Sequence, residues 1–319
     1  MKITNGYELD DLLLVPQPSQ VNSRDDVDLS VHIKNFSLSI PIIASPMKGI
    51  VGVELIKKIG ELGGIGILHR FYLLSEYPTR MMDLDHLADS GVPFGVAVGL
   101  DDDFYKEAIE EGASIIVIDV ANGYLRTVSN FTEEVANFIR SKYTNCLLMS
   151  GTVATSDGAK RLADAGADLV RVGLGSGGLC TTRKNTGVGV PQATALDDCS
   201  YVDTGIVADG GIKNSGDAVK CLALGAGLLM IGSLFANCFE SEHDGKIQGM
   251  ASKEFQEQYY GEVKKSVEGI QKDAVKQVSL ENMIKEFTWN MRSGFTYMNA
   301  RNIQELQNNA EFITRGDIK

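Results

Sequence analysis

The sequence predicts an α/β chain, a single domain over residues 1–319, in which eight parallel strands close into a (β/α)8 barrel. Three observations predict it. First, eight short runs rich in Ile, Val and Leu recur along the chain: Pro41–Ala44, Gly64–Leu68, Phe94–Val98, Ser114–Asp119, Cys146–Met149, Asp168–Gly173, Gly205–Ala208 and Gly227–Ile231. Each is too short for a typical helix and apolar throughout, as a strand buried on both faces should be. Second, most gaps carry helical spacing, as in Phe131–Tyr143 and Gly158–Ala165. Third, related phrases introduce three of the strands: EEGASIIVID, DAGADLVRVG and ALGAGLLMIG. A repeated helix–Gly-Ala–strand unit implies alternating helices and parallel strands. Two doubly wound domains are the rival arrangement, and the eightfold tally favours the barrel.

Each element has its own reason. Leu12–Val15 is an apolar run stopped by Pro16, so it is no long helix, and it is expected to cap one end of the barrel. Polar or glycine-rich sequence follows nearly every strand: SPMKG, HRFY, DVANGY, SGTVATS, GLGSGGLCTT, DGGIKNSGD and GSLF. Those ends should converge on one mouth, where barrels of this type carry their chemistry. Residues 240–290 are polar and irregular, and are expected to be a lid-like excursion after strand eight. Met291–Phe312 returns to helical spacing.

Composition narrows the function. The net charge is −12 and the pI about 4.9, whereas a nucleic-acid binder would usually show a basic face. Small anions remain admissible, because a glycine loop and a few local cations can hold a phosphate. The five cysteines, Cys146, Cys180, Cys199, Cys221 and Cys238, are irregularly spaced and include no CxxC pair. With no leader-like start and no membrane-spanning run, the expectation is a reducing cytoplasm, free thiols and no structural zinc.

The most informative stretch is Val172–Gln192, VGLGSGGLCTTRKNTGVGVPQ, with six glycines around Cys180. Glycine at this density orders at high entropic cost and lets backbone groups approach a ligand. A thiol there, with Arg183 and Lys184 near it, is placed to become a thiolate nucleophile. Its alternative is a small buried hydrophobe, the reading adopted for the other four cysteines.

This stretch resembles the catalytic loop of the IMP dehydrogenase and GMP reductase family, and CTTRKNTGVGVPQ is closer to the GMP reductase form. The resemblance covers almost the whole chain. Arg70–Phe94 is too short to hold the paired regulatory domain that most IMP dehydrogenases insert. It implies that Cys180 attacks C2 of a purine ring, and that Thr182 and Glu268 assist proton transfer as C2 loses ammonia. It puts Asp119, in IDVANGY, near the nicotinamide or the reacting base; a carboxylate capping a loop is the alternative. Asp209 would hold the ribose hydroxyls, and Gly210, Gly211, Gly232 and Ser233 the phosphate. Met250 and Ala251 would meet the purine edge, and Lys265 stands where the family has a lid arginine. Arg70 and Thr152 fall on the cofactor side; for His69-Arg70 a packed His and a surface Arg is an equal alternative.

The implied cofactor is NADPH, with potassium as a further candidate on the carbonyls of Gly175, Gly177 and Cys180, which a tight turn also explains. NADPH and NADH are not distinguished. Family members are usually tetramers, so a homotetramer is carried over as an expectation. The chain departs from the family at Gly178 (usually Ser), Thr152 (usually Asn), Lys265 (usually Arg) and Lys48 (usually Asp). Lys48 is expected to add a cation for phosphate, and a deoxy or modified purine nucleotide is admitted. Three functions follow: reductive deamination of GMP to IMP, oxidation of IMP to XMP with NAD, and a nucleotide-binding regulator without catalysis. The dehydrogenase needs an Arg-Tyr pair on a mobile flap, and Met250–Glu268 contains no Arg, whereas the C-terminal segment looks more like the dehydrogenase.

Overall fold

In the computed structural model, which describes residues 4–142 and 144–315, all eight apolar runs are strands. They span Ile42–Ala44, Ile65–Leu68, Phe94–Val98, Ile115–Asp119, Leu147–Val153, Leu169–Val172, Gly205–Asp209 and Leu228–Ile231. They form a closed parallel barrel, with strand eight returning beside strand one at Leu229 opposite Ile42. The alternation of side chains explains why the runs read as continuous. Ile43, Ile65, Ala97, Val117, Met149 and Val207 belong to a cluster that fills the barrel. Their neighbours Ile42, Val96, Ile116, Leu148 and Ala208 belong to the larger core between strands and helices. Both faces of each strand are thus dry, and each fully buried Ile, Val or Leu contributes roughly 1.5–3 kcal/mol.

The helices after the strands are Val53–Glu61, Tyr77–Ala88, Tyr105–Glu110, Arg126–Ser141, Ser156–Asp164, Gln192–Cys199, Ser215–Ala223 and Leu280–Tyr297. The helix expected over 131–143 therefore starts earlier, at Arg126; Tyr143 lies outside the described residues. The short 3-10 helix Leu74–Glu76 and the helix Tyr77–Ala88 separate strands two and three, and no domain is inserted there.

Three expectations need correction. Leu12–Leu14 does not cap the barrel: it pairs antiparallel with Phe312–Thr314. The cap is a hairpin, Val31–Ile33 with Phe36–Leu38, whose Val31, Ile33 and Phe36 pack against the barrel interior. Its turn residue Lys34 is ion-paired with Asp168, just before strand six. The excursion ends at Ser279 rather than 290, because the Ser279 hydroxyl accepts the Asn282 N–H at 3.3 Å and caps the last barrel helix. Residues 291–312 are not one helix: the chain breaks after Tyr297, forms Ile303–Asn309, and is extended at Phe312.

Within the lid, Lys246–Gln248 pairs antiparallel with Gln271–Asp273, and the helix Lys253–Tyr260 lies between them. Phe255 and Tyr259 of that helix meet Phe71 edge-on, with centroids 5.0 and 5.7 Å apart. The Tyr259 hydroxyl donates to the Tyr72 carbonyl at 2.8 Å. The lid is therefore seated on the loop after strand two.

Candidate active site

A cavity of about 610 Å³ opens at the C-terminal ends of the strands. It lies within the size range of small-molecule sites. Its wall includes every proposed substrate, cofactor and catalytic residue: Cys180, Thr182, Glu268, Asp119, Asp209, Gly210, Gly211, Gly232, Ser233, Met250, Ala251, Lys265, Arg70 and Thr152.

Strand parity builds the floor. Val117, Leu169 and Val207 point into the barrel, so the residues two further on, Asp119, Arg171 and Asp209, do too. They form a charged layer on top of the apolar core. Arg171 Nη1 donates to Asp119 Oδ1 at 2.8 Å, and its Nε and Nη2 donate to Asp209 Oδ2 at 3.1 and 2.8 Å. Arg70 Nε reaches Asp119 Oδ2 at 3.2 Å. Burial by itself would push the Asp119 carboxyl up, but Arg171 and then Arg70 hold it below its usual value. Asp209 keeps one oxygen, Oδ1, that accepts from no donor among the described residues, while Oδ2 is taken by Arg171. Arg171, 6% exposed, was missed from the sequence; a charge inside the apolar run LVRV was the available signal.

The reactive corner lies on the loop after strand six. The Cys180 thiol is exposed, and its sulfur is 3.1 Å from Thr182 Oγ1. Thr182 Oγ1 donates to Glu268 Oε2 at 2.6 Å. Backbone pairing fixes this chain of groups. Thr181 N donates to Glu268 O at 2.9 Å, Ile270 N to Leu179 O at 3.0 Å, and Glu268 N to Ala251 O at 3.0 Å. The lid thus carries Glu268 to the loop by main-chain bonds, which depend little on side-chain identity. Buried Gln256, also missed from the sequence, ties the lid helix to the segment that follows it: its Oε1 accepts from Lys264 N and Lys265 N at 3.2 and 2.8 Å.

At the opposite end, Gly210 and Gly211 have φ of +88° and +82°. Their amides, and those of Gly232 and Ser233, donate to no acceptor among the described residues. Successive free amides of this kind make an anion-binding concavity. Gly173 is also required by its surroundings: at φ +155° an added Cβ would run into the Asp209 carbonyl. Gly173→Ala is expected to cost about 2 kcal/mol or more, measurable by urea titration.

Several expected roles do not survive. Lys48 does not line the cavity. Its Nζ donates to the Phe71 carbonyl at 2.8 Å and sits over the rings of Tyr72 and Tyr259, beneath the lid. Arg183 is not directed at the thiol; it donates to Glu8 and to the carbonyls of Leu174 and Val190, bracing the loop against the N-terminal segment. His69 is buried and stacked on Tyr72, and burial pushes its pKa down to about 3, so it stays neutral as a packing residue. The Gly177 carbonyl accepts Cys180 N at 3.0 Å, the tight-turn alternative at that position. No group of three or more His, Cys, Asp or Glu side chains able to hold a metal occurs among the described residues. No helix there is long and apolar enough to cross a membrane.

Comparison with known proteins adds an independent line. A family model described as "IMP dehydrogenase / GMP reductase domain" matches residues 6–318. A GMP reductase of Bacillus subtilis is 31% identical over 331 residues, covering 98% of this chain and 98% of that protein. One from Pediococcus pentosaceus is 30% identical over 325 residues, covering 98% and 97%. An inosine-5′-monophosphate dehydrogenase of Streptococcus pyogenes is 35% identical over 287 residues, covering 82% of this chain and 57% of that protein.

Proposed function

The chain belongs to the IMP dehydrogenase / GMP reductase family of oxidoreductases, and from that premise we propose that it reduces GMP, or a closely related guanine nucleotide, to IMP and ammonia. The observation that carries this reading is the hydrogen-bonded chain Cys180–Thr182–Glu268. Because the Thr182 hydroxyl donates to Glu268, the thiol donates to Thr182. A proton can then pass from sulfur through the hydroxyl to the carboxylate, leaving a thiolate beside a carboxylic acid.

The chemistry follows from that pair. The thiolate adds to C2 of the purine, and the ring nitrogen takes a proton. Glu268, through Thr182, returns its proton to the amino group, because ammonia leaves far better protonated. When bound, a reduced nicotinamide would supply the hydride that C2 receives. The C–S bond then breaks as the ring nitrogen gives up the proton it took, which frees the Cys180 thiolate and IMP. Overall, GMP, NADPH and two protons give IMP, NADP⁺ and ammonium. The wall beside Asp119, formed by Arg70, Gly99, Leu100, Val120, Ala121 and Thr152, would hold the cofactor; NADPH is adopted from the resemblance. Asp209 Oδ1 would accept from the ribose, and Met250, whose amide and carbonyl have no backbone partner among the described residues, would read the purine edge. Potassium would sit on the Gly175, Gly177 and Cys180 carbonyls and order the loop, since a carbonyl in a turn keeps a second lone pair. A cytoplasmic homotetramer is adopted on the same footing.

The second reading, oxidation of IMP with NAD, is favoured by the 35% identity to the Streptococcus pyogenes dehydrogenase. Hydrolysis of its adduct needs a base, and the lid segment from Met250 to Glu268 has no arginine to serve. Absorbance at 340 nm decides. Signal loss with GMP and NADPH, together with released ammonia, is expected; signal gain with IMP, NAD and potassium would replace the first reading by the second. A Cys180→Ala variant with full biological activity would instead support a regulator.

A further inference from the structure

We propose that Glu8, in the N-terminal segment, and Arg183 form a strut that positions Cys180 and Thr182 for reaction. This rests on the proposed chemistry at Cys180 and adds two positioning residues to it. Arg183 does not face the thiol, yet the loop is built around it. An added Cβ at Gly175 or at Gly189 would stand 2.4 Å from Arg183 Cγ. Two of the loop's six glycines are therefore required by this side chain, whose stem passes between them. The guanidinium then joins both roots of the loop. Its Nε donates to the Leu174 carbonyl at 2.8 Å, its Nη2 to the Val190 carbonyl, and its Nη1 to Glu8 Oε1. Glu8 Oε2 accepts the Gln192 amide at 2.9 Å. Glu8 is itself anchored through its neighbour. The Tyr7 amide donates to Thr194 Oγ1 at 2.7 Å, and the Tyr7 carbonyl accepts Thr194 N at 3.2 Å.

The tip of the loop has little else to hold it on this side. Apart from Arg183, residues 178–186 hydrogen-bond only within the loop and to the lid among the described residues. Arg183 is thus the hydrogen-bonding link from the Cys180–Thr182 segment to the N-terminal segment, and it follows Thr182 directly in the chain. The pair is partly exposed, at 27% for Arg183 and 41% for Glu8, so as an ion pair it contributes little to stability. What it supplies is geometry. The proton path needs the sulfur, the Thr182 hydroxyl and Glu268 in one line of contacts, and a displacement of about 1 Å at a reacting group can cost about 100-fold in rate.

The test measures kcat, KM for GMP and the urea midpoint in wild type, Glu8→Gln, Arg183→Ala and the double variant. Glu8→Gln keeps the shape but turns an NH2 group toward Arg183 or toward the Gln192 amide, whichever way it is rotated. Each single change should lower kcat by about 10- to 100-fold and move the urea midpoint little. KM for GMP should stay within about threefold, because Asp209, Gly210, Gly211, Gly232 and Ser233 lie at the ends of other strands. The double variant should be within about twofold of the slower single one, since both changes remove the same strut. A lower urea midpoint with kcat unchanged would make the pair a stability element and overturn the proposal. Additive losses in the double variant, or a loss confined to KM, would do the same. Should Arg183→Ala fail to fold, Glu8→Gln decides by its own split between kcat and KM. If wild type turns over IMP with NAD and not GMP, the GMP reading fails, and the same kcat comparison with IMP decides the strut. Silence with both substrates overturns both.

Discussion

On the proposed mechanism, replacing Cys180 with alanine should lower kcat for GMP reduction by about 10⁴-fold or more, the loss expected for a covalent nucleophile. Nucleotide affinity should stay within a few fold, because the sulfur's one side-chain partner is Thr182 and the free amides at the far end of the cavity are untouched. The same residue should stand out chemically. Burial pushes the thiols of Cys146, Cys199 and Cys238 up to about 12 and raises that of Cys221 as well. Cys180 alone among the five is exposed. Iodoacetamide at pH 8 should therefore add one label per chain, at Cys180, and a saturating purine nucleotide should block it. Peptide mass spectrometry reads the site. Two or more labels, or full turnover by the alanine variant, would remove Cys180 from the mechanism.

The sequence made the barrel legible for a physical reason. A parallel strand dry on both faces must be apolar at every position, so eight such runs are conspicuous against amphipathic helices. The cap hairpin was hidden for the converse reason. Val31, Ile33 and Phe36 are few and interspersed with His32, Lys34 and Ser37, and their burial comes from the barrel end that they meet. The loop at Cys180 was legible because glycine density and a central thiol are local signals. Lys48 was not: its rotamer is set by the Phe71 carbonyl and two tyrosine rings brought from elsewhere in the chain. The lid misled at its far end because its polarity continues into the exposed face of Leu280–Tyr297. Gln256 acts through main-chain groups of the lid itself, and nothing in its spacing marks it. Arg171 lay within reach of sequence reasoning: the parity that puts Asp119 and Asp209 inside also puts it there.

Arg171→Met should be the most damaging change away from the thiol. Removing one partner of a buried ionic group costs about 3–5 kcal/mol, because the other charges are left without compensation. Here two carboxylates lose the guanidinium that bridges them, and Asp119 keeps only Arg70. The sign of the pH dependence distinguishes this from a simple packing loss. In wild type the Asp119 carboxyl is held below its usual value, so its contribution is complete above about pH 4 and is lost only as pH falls further. In the variant burial dominates and the folded carboxyl titrates above its unfolded value. Protonation then favours the folded state, so the variant should gain stability as pH falls from 7 toward 5 while wild type does not. Urea midpoints at the two pH values measure this. Asp209 would also lose the two bonds that orient it, so KM for the nucleotide should rise by about 10-fold or more. Parallel midpoints for the two proteins across that range would show that Arg171 contributes packing rather than charge. The charged layer would then have to be held by Arg70 and solvent instead.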